Sequence, residues 1–208
     1  MTSAWSDLLG AGIVPVVALN DAKAAVPLAD ALSAGGIHVI EVTLRTEAAL
    51  DAISEIRQHR PDFVVGVGTI TKPEHVEQAR LRGAHFGVSP GLTTRLAQSA
   101  VMSGWPLLPG VASASELMSA MEWGFSTVKF FPAEAAGGVA MLKSLGGPFA
   151  EARFCPTGGI DRDSAPHYFR LPNVVAIGGS WMAPSKLIND AQWEEIAHRS
   201  AKAVDAVS

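Results

Sequence analysis

Short apolar runs rich in β-branched residues recur along the chain, at residues 13–19, 39–44, 63–67, 85–88, 106–108, 127–131, 153–155 and 174–177, and turn-forming residues follow them. Helix-like stretches separate them, over 21–33, 47–59, 73–82, 93–103, 115–122 and 139–145, with 161–169 and 185–204 following the last two runs. Strands alternating with helices of this length predict right-handed βαβ units and a parallel sheet. Eight such units in 208 residues suit an α/β chain folded as a (β/α)8 TIM barrel near its lower size limit. An open doubly wound sheet is the alternative. No charge run, low-complexity tract or Pro/Gly/Ser-rich linker divides the chain, so residues 1–208 are expected to form a single domain, with a short helix at the N-terminus.

Several predicted strands end alike, in Gly68-Thr69, Ser89-Pro90-Gly91, Pro109-Gly110, Pro156-Thr157-Gly158-Gly159 and Gly178-Gly179-Ser180. Small and polar residues therefore gather at strand C-termini, where both barrels and open α/β sheets place their ligands.

Composition narrows the function classes. With 48% hydrophobic and 17% charged residues the chain can bury a substantial core, which excludes disorder. Its net charge of −4 offers no diffuse positive field for nucleic acid or an anionic membrane, so any anion site has to be local. The apolar run over 8–19 contains Gly10, Gly12 and Pro15 and is shorter than the ~18 residues of a membrane span. Asp7 and no cation precede it, unlike an export signal, and a cytoplasmic location is expected. The single cysteine, Cys155, reads as a buried core thiol, which fits a reducing compartment. Six scattered histidines lack ligand spacing, so a mechanism without a metal is expected. No Walker loop, post-strand G-x-G-x-x-G or nucleophile elbow is present.

Three groups could carry chemistry. Lys129 lies in the run Thr127-Val128-Lys129-Phe130-Phe131, where poor solvation favours the neutral amine that attacks a ketone to form a Schiff base; snorkelling or a carboxylate partner would also explain it. Glu41 lies among aliphatic residues in Val39-Ile40-Glu41-Val42-Thr43-Leu44, and a period of two places it with Thr43 and Arg45 on one side. That suits Glu41 to proton transfer and Arg45 to holding a carboxylate or phosphate, with a structural Glu41–Arg45 ion pair as the competing reading. The pairs Gly158-Gly159 and Gly178-Gly179, the second followed by Ser180, let backbone amides approach an anion, although glycine also ends strands for turn geometry alone. Loops after the last two strands are a frequent phosphate site in barrels.

With these residues in place, the sequence resembles the 2-keto-3-deoxy-6-phosphogluconate (KDPG) aldolases, a class I family that includes bifunctional 4-hydroxy-2-oxoglutarate (KHG) aldolases. The likeness runs through Gly35-Gly36-Ile37, Glu41-Val42-Thr43-Leu44-Arg45-Thr46, Gly66-Val67-Gly68-Thr69 and Ser89-Pro90-Gly91-Leu92-Thr93. It continues through Lys129-Phe130-Phe131-Pro132-Ala133-Glu134, Arg153-Phe154-Cys155-Pro156-Thr157-Gly158-Gly159-Ile160 and Gly178-Gly179-Ser180-Trp181. The resemblance implies a (β/α)8 barrel, a homotrimer, and reversible cleavage of KDPG to pyruvate and D-glyceraldehyde 3-phosphate in the Entner–Doudoroff pathway. It implies no cofactor beyond the covalent imine on Lys129, with Glu41 as the proton-transfer residue. By matching position, Arg45 and Thr69 are expected to hold the pyruvyl portion, with Pro90 also binding substrate. Phe131 is expected beside the imine, Thr157 to influence stereochemistry at the new hydroxyl, and Gly158, Gly159, Gly179 and Ser180 to hold the phosphate. Thr43-Leu44-Arg45-Thr46 favours the gluconate over the galactonate branch. A sugar-phosphate isomerase or a noncatalytic phosphate-binding protein on the same scaffold would instead form no adduct with pyruvate.

Overall fold

The computed structural model describes residues 12–207; the expected N-terminal helix lies outside them. Every strand pairs in parallel. Strands β1 (Ile13–Val17), β2 (Val39–Thr43), β3 (Val64–Gly68), β4 (Phe86–Val88), β5 (Leu107–Leu108) and β9 (Ile177–Gly179) form one sheet in the order β5-β4-β3-β2-β1-β9. Strands β6 (Gly110–Val111), β7 (Thr127–Phe130) and β8 (Arg153–Pro156) form a second sheet in the order β6-β7-β8. Helices connect successive strands: α1 (Ala25–Ala34), α2 (Ala49–His59), α3 (Pro73–Leu81), α4 (Thr94–Ser103), α5 (Ala114–Glu122), α6 (Gly138–Leu145) and α7 (Ala165–Phe169). Two more, α8 (Ser185–Asn189) and α9 (Trp193–Asp205), follow β9.

The boundaries differ from the sequence reading where backbone chemistry intervenes. The fifth strand was expected to stop at residue 108, but Pro109, which has no N–H to give a ladder, interrupts it and pairing resumes at β6. Pro109 still contributes its carbonyl, which accepts the Lys129 amide at 2.9 Å. The last strand begins at Ile177 rather than 174, and Val174 makes only an isolated bridge to Phe154. The stretch 185–204 breaks between α8 and α9, where Ala191 adopts a left-handed φ of 52°. Asp21 caps a 3₁₀ turn, Ala22–Ala24, ahead of α1 by accepting the Lys23 amide at 2.9 Å.

Alternation along the strands separates two environments. Val128, Phe130 and Phe154 pack in one buried apolar cluster, where the Phe130 and Phe154 rings meet edge to face with centroids 6.5 Å apart. Lys129 and Cys155, register partners between those positions, point to the opposite side. All of β2 is buried, so Glu41 and Thr43 occupy positions that an apolar strand would give to aliphatic side chains. No described helix is long and apolar enough to cross a membrane.

His85 joins β3 to the start of β4, its Nδ1 accepting the Val65 amide at 3.0 Å. Burial first, and the Arg57 charge second, hold its pKa below the usual 6.5. His75, whose Nδ1 accepts the Thr71 amide at 3.3 Å, is lowered too, chiefly by burial. The unfolded chain therefore takes up protons near pH 6.5 that the native fold resists. This stabilisation is complete above pH 6.5 and is lost as the pH falls toward the lower native values. The thermal midpoint should decline on acidification below that point, and His85→Asn, which can accept the same amide without titrating, should show a shallower decline by calorimetry.

Candidate active site

Lys129 projects from β7 and Glu41 from β2, on opposite sides of the strand array, and the two meet at 3.4 Å between Nζ and Oε1. Lys129 is 6% exposed and Glu41 3%. Neither the snorkelling lysine nor the Glu41–Arg45 ion pair is what forms; Glu41 pairs with Lys129 instead. The Phe131 ring centroid lies 5.2 Å from Nζ, as a residue just beyond the end of β7 permits.

Space for this pair comes from glycine. Gly66 and Gly68 face the same side as Glu41, being the register partners of Glu41 and Thr43. A Cβ at Gly68 would overlap the Glu41 carboxylate, and one at Gly66 would overlap the Phe86 ring. Gly110, the register partner of Lys129, backs onto the Pro90 carbonyl so closely that a Cβ there would overlap it, which brings the Pro90 loop to the lysine strand. These glycines escaped the sequence reading as site determinants. The available signal was a glycine one strand away from each charged residue, and strand register is invisible before the fold is known.

Arg45 is exposed just past β2, and its Nε donates to Thr43 Oγ1 at 2.9 Å. Thr43 donates in turn to the Val17 carbonyl at 2.7 Å, so its lone pairs face the guanidinium and fix the arginine stem. The guanidinium makes no other hydrogen bond among the described residues, leaving its forked end for an anion. Thr69, after β3, holds a left-handed φ of 61°. That conformation costs a β-branched residue about 1–3 kcal/mol and recurs at functional sites.

Thr157 carries the β7·β8 pairing past the strand ends, its amide donating to the Phe130 carbonyl at 2.9 Å. It also bridges to Gly178, where a Cβ would overlap Thr157 Oγ1, so the loops after β8 and β9 lie side by side. Gly158 and Gly159 take φ values of 102° and 80°, conformations that L side chains rarely adopt. Gly179 is covered by the Trp181 ring, leaving no room for a side chain, while Ser180 is exposed. Among the described residues, the amides of Gly158, Gly159 and Ser180 donate to no backbone carbonyl, as an anion-binding concavity requires.

Cys155, register partner of Lys129, is buried, and its thiol is pushed up to about 12 by burial first, with the Glu41 charge adding and Lys129 opposing. It stays a thiol near neutrality, as expected of a core residue.

The sequence model for KDPG and KHG aldolases matches residues 6–199. The chain belongs to the KDPG and KHG aldolase family. A 2-dehydro-3-deoxy-phosphogluconate aldolase of Pseudoalteromonas atlantica is 46% identical to it, covering 98% of this chain and 97% of that one. The KDPG aldolase of Legionella pneumophila, solved with pyruvate captured at low pH as a covalent carbinolamine intermediate, superposes with a TM-score of 0.92 at 43% identity, over 94% of this chain and 96% of that one. The KDPG aldolase of Zymomonas mobilis ZM4, solved with 3-phosphoglycerate, gives 0.90 at 42% identity, over 98% and 95%.

In this aldolase fold Gly68→Ala should drive the Glu41 carboxylate away from Lys129. Circular dichroism should report a folded protein, while the aldol cleavage rate falls about 100-fold or more, the scale of a lost general acid–base group.

Proposed function

We propose that the protein is a class I aldolase that reversibly cleaves KDPG to pyruvate and D-glyceraldehyde 3-phosphate, the aldol step of the Entner–Doudoroff pathway. The observation that carries the reading is the buried contact between Lys129 and Glu41, an amine and a carboxylate within proton-exchange reach. The pyruvate carbinolamine in the Legionella relative supports it.

In this reading Lys129 transfers a proton to Glu41 and attacks the C2 ketone. Glu41 returns protons as the carbinolamine loses water and becomes a protonated imine, which serves as the electron sink. Glu41 next removes the C4 hydroxyl proton, directly or through one water. The C3–C4 electrons flow into the imine, the aldehyde departs, and an enamine remains on Lys129. Protonation at C3 and addition of water release pyruvate. Arg45 and Thr69 hold the pyruvyl carboxylate end, Pro90 and Phe131 bound the imine, and Thr157 faces the new hydroxyl. Gly158, Gly159, Gly179 and Ser180 receive the phosphate. The imine supplies the chemistry a cofactor would otherwise bring. Cleavage of KHG to pyruvate and glyoxylate uses the same steps without the phosphate, and the joint scope of the family supports that second activity.

We read the strands as one (β/α)8 barrel in a single domain, with β5 and β6 as halves of one strand around Pro109 and the Thr157–Gly178 bridge linking β8 to β9. We also read the protein as a cytoplasmic homotrimer. In support of the trimer, Leu81, Val101, Met102 and Met118 are exposed apolar side chains, Leu81 and Met102 at 77% and 78%, that a second copy would cover.

Incubation with pyruvate and borohydride, followed by intact mass spectrometry and peptide mapping, should give one reduced pyruvyl adduct on Lys129. Lys129→Ala should show none and lose several powers of ten in rate, whereas an unmodified but folded wild-type protein would favour an isomerase or binding protein. Sedimentation should report three copies, and Met102→Glu should shift the population toward monomers; a wild-type monomer would defeat the trimer.

A further inference from the structure

The glycines proposed to receive phosphate are the least constrained residues in the chain, yet an anion-binding concavity works only when its amides are already aimed. The hold on them comes from outside the site. Beyond β7, the Ala133 amide donates to the Thr157 carbonyl at 2.8 Å and the Glu134 amide to the Gly158 carbonyl at 3.1 Å, extending the pairing of β7 with β8 into the loop. The Glu134 side chain then lies across Gly159, where an added Cβ would come within 2.8 Å of Glu134 Cβ and Cγ. Its carboxylate Oε1 accepts a 2.5 Å hydrogen bond from Tyr168 Oη. Tyr168 is wholly buried on α7, the helix that follows the glycine loop. Burial and the Glu134 carboxylate raise its pKa, so it remains a donor throughout the working range.

The Glu134 carboxylate faces an open cleft of about 550 Å³, bordered also by Gly137, Gly138, Ser164 and His167. No hydrogen bond or ion pair connects it to Lys129, whose partner is Glu41. Nothing in the imine chemistry needs this acid, and an anion on the far side of the loop would by itself disfavour a phosphate. Its strap geometry explains its presence better than any contact with substrate.

We propose that Glu134 and Tyr168 are positioning residues that clamp the Gly158-Gly159 loop from behind and thereby set the affinity for the phosphorylated end of the substrate. The inference rests on the phosphate role proposed for that loop. It separates two halves of the site: the clamp acts on recognition of the phosphate, whereas imine formation depends on Lys129 and Glu41.

Tyr168→Phe removes only the hydrogen bond and keeps the buried ring. It should raise KM for KDPG about tenfold, the scale of a lost hydrogen bond to a charged group, with little change in kcat. Cleavage of phosphate-free KHG, and exchange of pyruvate methyl protons with D2O followed by NMR, should stay at the wild-type rate. Glu134→Ala should reproduce the KM defect, while Glu134→Gln, whose amide oxygen still accepts from Tyr168, should restore most of it. An unchanged KM for KDPG in Tyr168→Phe, or a parallel fall in KDPG cleavage, KHG cleavage and proton exchange, would overturn the proposal. A wild-type enzyme that gains nothing from the phosphate on its substrate and is not inhibited by inorganic phosphate would instead remove the phosphate reading itself, and the clamp with it.

Discussion

Two opposite charges, both almost wholly removed from water, face each other at 3.4 Å in the middle of the strand array. Burying such a pair costs desolvation that the mutual attraction offsets only with close geometry, and removing one partner alone costs about 3–5 kcal/mol. The arrangement therefore constrains its surroundings. Gly68 gives up a side chain so that Glu41 has a place to lie, Gly66 does so for the Phe86 ring, and Gly110 does so where the Pro90 loop approaches β6, the neighbour of the lysine strand. Helix-side residues such as Phe130 and Phe154 supply the apolar packing that holds β7 and β8 in register. A stable core of this kind tolerates a costly centre because the rest of each strand is apolar.

Around the pair the site divides by the kind of group that does the holding. In the proposed reading, side chains hold the keto acid end: a guanidinium fixed through Thr43 to the β1 backbone, and a threonine in a left-handed conformation. In the same reading backbone holds the far end, through loops whose amides lack carbonyl partners among the described residues. The division matches the chemistry each end presents. A planar carboxylate is met well by a planar fork, whereas a tetrahedral phosphate is met from several directions by short N–H groups.

Much of this was legible before any coordinates. Alternating strands and helices gave the parallel α/β class, and the period of two in Val39–Thr43 put Glu41 and Thr43 on one side. A lysine within a β-branched and aromatic run was conspicuous because charge and local propensity disagree there. What the sequence hid is what depends on neighbours far along the chain. The ion pair weighed for Glu41 was with Arg45, four residues away, and the carboxylate that could pair with Lys129 carried no name, because a contact between residues 88 apart depends on how distant strands are brought together. The break of the fifth strand at Pro109 was read as an end, since proline stops a ladder in either case and only the position of β7 shows that pairing resumes. Nothing local marked Tyr168; its hydroxyl acquires meaning only once α7 is laid beside the loop carrying Glu134.

Cys155 adds a consequence of a different order. The site places a thiol in register beside the amine proposed to attack a carbonyl, and sulfur is by nature the softer and more aggressive nucleophile. Thiohemiketal formation, alkylation and oxidation all proceed through the thiolate, and burial holds that thiolate out of reach, with the thiol pushed up to about 12. Chemoselectivity here thus rests on the dielectric around the sulfur: a medium that disfavours the thiolate keeps Cys155 inert beside the amine proposed to react.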